Sequence, residues 1–136
     1  MQLKAQISYK TPEGLFTGTI HDARLLKQFK NGEEIENLRI TVALDPLPEQ
    51  PDNDFRVRVD YYDNQSKLLY GDLVSLVGRE VKELVDDKQK IIDDRLSLLH
   101  GKRVQVNVTH EYRPGHDQPF RKAKIVRPNQ LMKKAA

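Results

Sequence analysis

The sequence predicts an all-β domain with one connecting helix. Three observations carry that expectation. Apolar and polar residues alternate in five separate stretches, the period of a strand with one buried face. Between the third and fourth stretches the period lengthens to that of a helix. The 136 residues are 38% hydrophobic and 32% charged, which suits one domain with a modest core and a heavily charged surface.

The first strand is expected over 14–29, in "GLFTGTIHDARLLKQF". Phe16 and Ile20 alternate with Thr17 and Thr19, and Gly18 stands between them. The phase then slips near Asp22, since Ala23 and Leu25 continue the apolar side. A glycine and a slip in one strand suit a bulge or sharp bend. Asn31-Gly32 follows, the strongest short hairpin signal. The return strand is "IENLRITVAL", 35–44, with Leu38, Ile40, Val42 and Leu44 inward and Arg39 and Thr41 outward.

The next ten residues, "DPLPEQPDND", hold three prolines and four acids and read as a loop. "DFRVRVDYYD", 54–63, is the third strand. Phe55, Val57, Val59 and Tyr61 take one side; Arg56, Arg58, Asp60 and Tyr62 take the other. The helix is expected over 65–77, where Leu69, Leu73, Leu76 and Val77 recur at helical spacing. Asn64 or Ser66 would cap its start and Gly78 its end. Residues 79–92 fit either a short helix or a small hairpin turning at Asp86-Asp87. One further helical turn is expected in "DDRLSLLHGK", capped by Asp93 and closed by Gly101. "RVQVNVTHEY" is the fourth strand, with Val104, Val106 and Val108 inward. "PFRKAKIVRP" is the fifth, ending at Pro128.

Three meander strands, a helical connection and two more strands are the order of a five-stranded OB-fold, a small Greek-key barrel. One such domain would cover 1–128, with 129–136 a flexible basic tail. The stretches "GLFTGTIHDARLLKQFKNGEEIENLRITVAL", "SLVG" and "LLHGKRVQVNVTHEY…KAKIVRP" resemble the OB-fold single-stranded DNA-binding proteins of phages and mobile elements. In those, a Leu-Leu/Ile-x-Gly-Lys turn commonly leads into the fourth strand. The resemblance covers roughly residues 14–128. It implies binding of single-stranded DNA in replication or recombination, without catalysis. Many bacterial proteins of this kind end in an acidic tail that recruits partners. This chain ends "MKKAA", so the resemblance does not carry that recruitment role.

Charge distribution points the same way. Net charge is only +3, but residues 101–136 hold nine Lys/Arg against Glu111 and Asp117. Residues 72–94 hold seven acids against four bases. A basic end and an acidic middle suit an anionic partner on one side of the molecule. A mixed, solvated surface gives the same counts. No apolar run reaches the ~18 residues of a membrane span, and "MQLKAQISYK" lacks a signal peptide's apolar run. There is no cysteine, which removes disulfides and thiolate metal sites. A cytoplasmic protein, in a bacterium or a phage-infected cell, is the expectation. Homo-oligomers are compatible with the sequence.

Candidate binding residues follow from the order of elements. In an OB-fold, strands two and three and the loops beside them form the usual nucleic-acid face. Arg39, Arg56, Arg58 and Tyr62 point outward there. A single strand of DNA, or of RNA, needs cations for its phosphates and flat groups for its bases. Arginine serves both needs, since its guanidinium stacks and forks. The competing reading is a solvated strand whose arginines pair with nearby acids. Lys27, Phe29 and Lys30 beside the Asn31-Gly32 turn would clamp a strand, unless Phe29 is packed. Arg113, Arg121, Lys122 and Lys124, with Tyr112 and Phe120, surround the last hairpin. They either flank the same groove or form a basic edge that discourages aggregation.

No cofactor or metal is expected. His110, His116 and Asp117 lack metal-ligand spacing. Pro51-Asp52 with Glu80-Val81-Lys82 superficially matches a Mg²⁺-dependent nuclease pattern. That chemistry needs both carboxylates on adjacent strands, whereas Asp52 falls in a loop and Glu80 after a helix stop. An OB-type module that binds protein rather than nucleic acid is the third class, favoured mildly by the scarcity of aromatics.

Overall fold

The computed structural model describes residues 11–127 except 50, 53, 89, 116 and 118. The N-terminal decapeptide, His116, Pro128 and the basic tail 129–136 therefore lie outside the described residues. Five strands form one antiparallel sheet in the spatial order β3-β2-β1-β4-β5. They are β1 (Gly14–Lys30), β2 (Glu33–Leu44), β3 (Arg56–Tyr61), β4 (Arg103–Glu111) and β5 (Phe120–Val126).

The long β1 is the spine of the sheet, because it pairs with β4 along its first third and with β2 along the rest. Its register slips between Ile20 and Asp22, where His21 is the extra residue. One inserted residue moves every later side chain to the opposite face. Without it, Asp22 and Arg24 would point into the core. With it, Ala23 goes in and Arg24 goes out. Gly18 lies where β1 and β2 press together, and a Cβ there would stand 2.6 Å from the Ala43 carbonyl oxygen. The β1–β2 turn takes left-handed φ at Asn31 (54°) and Gly32 (81°), as the Asn-Gly pair predicts.

The inward faces agree with the alternation. Leu38, Ile40, Val42, Phe55, Val57, Val59, Tyr61, Val104, Val106 and Val108 are all buried. Burying each large aliphatic side chain stabilises the fold by about 1.5–3 kcal/mol.

Between β3 and β4 the chain is more than one helix. A 3-10 turn at Asp63–Gln65 leads into α1 (Ser66–Val77), and α2 (Val81–Leu84) follows after another 3-10 turn, Gly78–Glu80. Ser66 is the first helical residue and Gln65 holds the cap position without a capping bond. Its Oε1 instead accepts from the Tyr62 backbone N–H at 3.3 Å. Gly78 does end α1, with φ 58°. The segment 79–92 combines both expected forms: α2, then a single antiparallel bridge between Val85 and Ile91. Asp86 holds that turn, its Oδ1 accepting from the N–H groups of Lys88 (2.8 Å) and Lys90 (2.9 Å). These bonds, that of Lys90 foremost, lower the Asp86 carboxyl below its ordinary pKa. The last turn is a 3-10 helix, Asp93–Leu99, entered from Ile92; Asp93 is its first residue, not its cap. Leu73, Val77, Val81, Leu84, Leu96 and Leu99 from this whole segment join the strand core.

The expected closed barrel is not formed. No hydrogen-bonded ladder joins β3 to β5, so the sheet stays open along that line, although the two edge strands lie close together. Side chains hold the gap instead. Tyr61 Oη, at the end of β3, donates to Asp72 Oδ2 on α1. Arg127 Nε, just past β5, donates to Asp72 Oδ1 at 2.7 Å, and its NH2 donates to the Leu68 carbonyl at 3.0 Å. Gly71 makes room, since a Cβ there would stand 2.4 Å from Arg127 NH2. A short polar network thus replaces the missing ladder.

Candidate nucleic-acid interface

The outer side of β1, β2 and β3 is not flat. It carries a shallow groove of about 420 Å³ whose lining includes Arg24, Arg39, Arg56 and Arg58. His21, Asp22, Leu26 and Thr41 complete it. Register explains the assembly. Asp22, Thr41 and Arg58 form one cross-strand row, and Arg24, Arg39 and Asp60 form the next. The bulge at His21 puts the β1 members of both rows on the arginine side.

Most of this positive charge is already matched. Arg39 Nε lies 2.9 Å from Asp60 Oδ1, Arg24 Nε 2.5 Å from Asp22 Oδ2, and Arg56 NH2 3.3 Å from Asp54 Oδ2. The Arg58 side chain makes no hydrogen bond or ion pair among the described residues, and it is exposed. Both earlier readings are therefore partly realised: three arginines pair with acids, and one stands free between them. Solvent-exposed pairs are worth only about 0–1 kcal/mol. A phosphate, which forks to a guanidinium, can displace such a carboxylate at little cost.

The remaining predicted residues fall in three places. Tyr62 follows β3 and is half exposed. At the β1–β2 tip Phe29 is 78% exposed, so it is not packed. Strand alternation sets Lys27 and Phe29 on the opposite side of the ribbon from Arg24 and Leu26, while Lys30 shares the groove's side. Lys27 Nζ is 3.6 Å from Glu34.

The cations of the last hairpin are largely engaged with one another's surroundings. Glu111 takes Lys122 Nζ at 2.7 Å and Arg113 NH2 at 3.5 Å. Those contacts, Lys122 first, lower the Glu111 carboxyl below its usual range. The Arg113 guanidinium also sits over the Phe120 ring, 4.4 Å from its centroid. Phe120 is at the surface rather than in the core. Arg121 NH1 donates to Thr11 Oγ1 at 3.0 Å, which fixes the start of the described chain across the hairpin. Lys124 is exposed and makes no ion pair among the described residues, and Tyr112 is 76% exposed.

Sequence reasoning missed Arg24, His21 and Asp22 as groove residues. The signal was present: a phase slip at Asp22 turns Asp22, Arg24 and Leu26 outward. Arg103 was also missed. It forks to Asp45, NH1 to Oδ1 at 2.7 Å and NH2 to Oδ2 at 2.5 Å, and its NH1 donates to Thr19 Oγ1 at 2.8 Å. That fork lowers the Asp45 carboxyl below its ordinary pKa. Nothing in the linear spacing of 45 and 103 announces the pair.

Asp52 lies in a turn and Glu80 is exposed on the 3-10 turn after α1. Among the described residues no three His, Asp or Glu side chains are grouped to hold a metal ion. Nor, among them, is any helix long and apolar enough to cross a membrane. No known protein-family model matches this chain, and no curated protein matches it.

Proposed function

We propose that this protein is an OB-type single-stranded DNA-binding protein that acts without catalysis, in DNA replication or recombination. The observation that carries the reading is the groove across β1, β2 and β3, with the unpaired Arg58 between Arg39 and Arg56. The order of strands and helical connection supports an OB-type reading, although the sheet is open between β3 and β5. The groove suits a single strand better than a duplex. Its cations are arginines, which neutralise phosphate and stack on bases, and it is shallow and open. Single-stranded RNA presents the same phosphates and bases, and is the second ligand to try. Cytoplasmic location and self-association belong to the same proposal.

A second reading has its own support. Three arginine–aspartate pairs make the groove nearly as acidic as it is basic, which suits a protein partner of mixed charge. One experiment separates the two. Equal lengths of single-stranded and duplex DNA are titrated in the presence of a chelator across a salt series. The DNA-binding reading expects tighter binding of the single strand, weakening with salt and indifferent to metal. Equal or tighter duplex binding rejects it, and no binding of either moves the assignment to the protein-partner reading.

A further inference from the structure

The ribbon formed by β1 and β2 outruns its neighbours. β4 pairs with β1 only as far as Thr19, and Gly101 and Lys102 bond to the Ile20 backbone just beyond it. From Asp22 to Lys30, β1 has β2 on one side and no hydrogen-bonded strand on the other. The 3-10 turn nearby sends Leu96 and Leu99 into the core.

Register fixes where the backbone of this stretch points. The Leu44 N–H donates to Phe55 O at 2.9 Å, so the even-numbered residues of β2 bond toward β3 and the odd-numbered ones toward β1. Thr41 faces Asp22, and the pairing runs on to Glu33 and Lys30. The even-numbered residues of β1 past the bulge therefore bond to β2, and the backbone groups of Ala23, Leu25, Lys27 and Phe29 aim away from it. Among the described residues nothing pairs with those groups. Lys27, Gln28, Phe29 and Lys30 are exposed in succession, so neither face of the ribbon is covered there. At 78% exposed, Phe29 is the barest large apolar side chain among the described residues. An open edge of this kind is a template for another strand.

Charge selects the strand. β2 has its own free stretch beyond β3, and it carries Glu33, Glu34 and Glu36, which repel their own copies. β1 carries Arg24, Lys27 and Lys30, yet one antiparallel register against its own copy keeps them apart. With Leu26 opposite Leu26, Arg24 faces Gln28, Lys27 faces Leu25, and Lys30 faces Asp22. Phe29 faces Ala23 and gains Leu25 as a diagonal neighbour. The same register sets the four unpaired backbones opposite one another as hydrogen-bonded pairs. A shift of two residues one way puts Lys27 against Lys27 and Arg24 against Lys30. The same shift the other way drives Lys30 onto Ile20, whose edge Gly101 and Lys102 already fill.

We propose that two copies of this protein pair along the free edge of β1, antiparallel about Leu26, into one continuous sheet. A two-fold interface is closed, so the assembly stops at a dimer. Its axis runs across the sheet, and both arginine grooves open on the same side. The dimer does not need the DNA-binding reading; the sharing of the joined face by one DNA strand rests on it.

Sedimentation velocity over a concentration series, without DNA, tests the dimer. Lys27→Pro removes an edge-facing N–H and no β1–β2 bond, at a strand position where proline is tolerated. It should sediment as a monomer with the circular dichroism of the unmodified protein. Asp22→Lys and Lys30→Asp each set like charges opposite one another twice per dimer, and each should raise the dimer dissociation constant about tenfold. Together they restore opposite charges, and the dissociation constant should return to that of the unmodified protein. These charge variants decide the matter if proline disturbs folding. An unmodified protein that stays monomeric overturns the dimer, whatever covers the edge. A dimer indifferent to the charge changes, or a double variant as weak as the single ones, overturns it too. A monomer that still binds a single-stranded oligonucleotide leaves the DNA-binding reading standing, and a dimer that does not bind it rejects that reading alone.

Discussion

Arg58 and Arg127 are the same residue type in opposite settings. Arg58 stands exposed on the outer face of β3 with no partner among the described residues. Arg127 is folded over α1, with Nε on Asp72 and NH2 on the Leu68 carbonyl. Tyr61, three residues beyond Arg58 on β3, points inward and donates to the same Asp72. Alternation alone decides which side of β3 is spent on the core and which is left exposed. The difference teaches that a cation's role is set by how many of its hydrogen bonds are already made. Arg127 has its bonds and so contributes to the fold; Arg58 has none and is available.

The sharpest way to break this comparison is at the buried end. Asp72→Ala leaves Tyr61 Oη and the Arg127 guanidinium without their shared acceptor. It should cost about 3 kcal/mol of stability, since breaking a largely buried pair strands its partner. Chemical denaturation measures it, and a loss below about 1 kcal/mol would show that water replaces the carboxylate freely. At the exposed end, Arg58→Glu should weaken single-strand binding by about tenfold, because it removes one phosphate contact and adds a repulsive charge. Its stability should stay within about 0.5 kcal/mol of the unmodified protein. A large loss of stability there would mean that Arg58 is structural after all.

Tyr61→Phe is expected to cost about 1 kcal/mol at neutral pH, the net worth of a typical hydrogen bond. Its alkaline behaviour is more telling. Burial, then the charge of Asp72 and the bond to it, push the Tyr61 hydroxyl far above its ordinary pKa. The folded protein thus holds the proton that the unfolded chain releases near pH 10. Stability from this group is fully present below about pH 10 and is lost as pH rises toward the folded-state value. Tyr61→Phe should flatten the alkaline limb of a stability-versus-pH curve, and an unchanged limb would contradict the burial of that hydroxyl. The smallest effect concerns Gly71. Replacing a helical glycine by alanine normally gains up to about 1 kcal/mol. Here Gly71→Ala should instead lower the melting temperature slightly, because the new Cβ meets the Arg127 guanidinium. A rise would show that Arg127 moves aside without loss.

Much of this arrangement could be read from the chain. Val57 and Val59 alternate with Arg56 and Arg58, and that pattern places the core and the groove on the two sides of β3. The slip at Asp22 and the Asn31-Gly32 turn leave their mark on the local sequence because each is a local backbone event. What could not be read is long-range pairing. Tyr61, Asp72 and Arg127 are separated by 11 and 55 residues, and no periodicity relates them. The same holds for Arg103 with Asp45 and for the choice of which arginine keeps a free guanidinium. Barrel closure is not legible in the sequence for a related reason. Strand order is legible, but whether β3 and β5 come within hydrogen-bonding distance depends on how α1 packs beneath them. The capping of α1 was misassigned because Ser66 lies one residue inside the helix, a boundary that sequence signals mark only to within a few residues.

The central claim is that the outer face of β1, β2 and β3 binds the phosphates of a single strand, with the unpaired Arg58 as one of the contacts. The slope of log affinity against log salt for a single-stranded oligonucleotide tests it most directly, measured for the unmodified protein and for Arg58→Ala. Each phosphate neutralised on a single strand contributes about 0.7 to that slope. The account predicts a clear salt dependence, reduced by about 0.7 in Arg58→Ala with an unchanged melting temperature. An identical slope in the two proteins would contradict it.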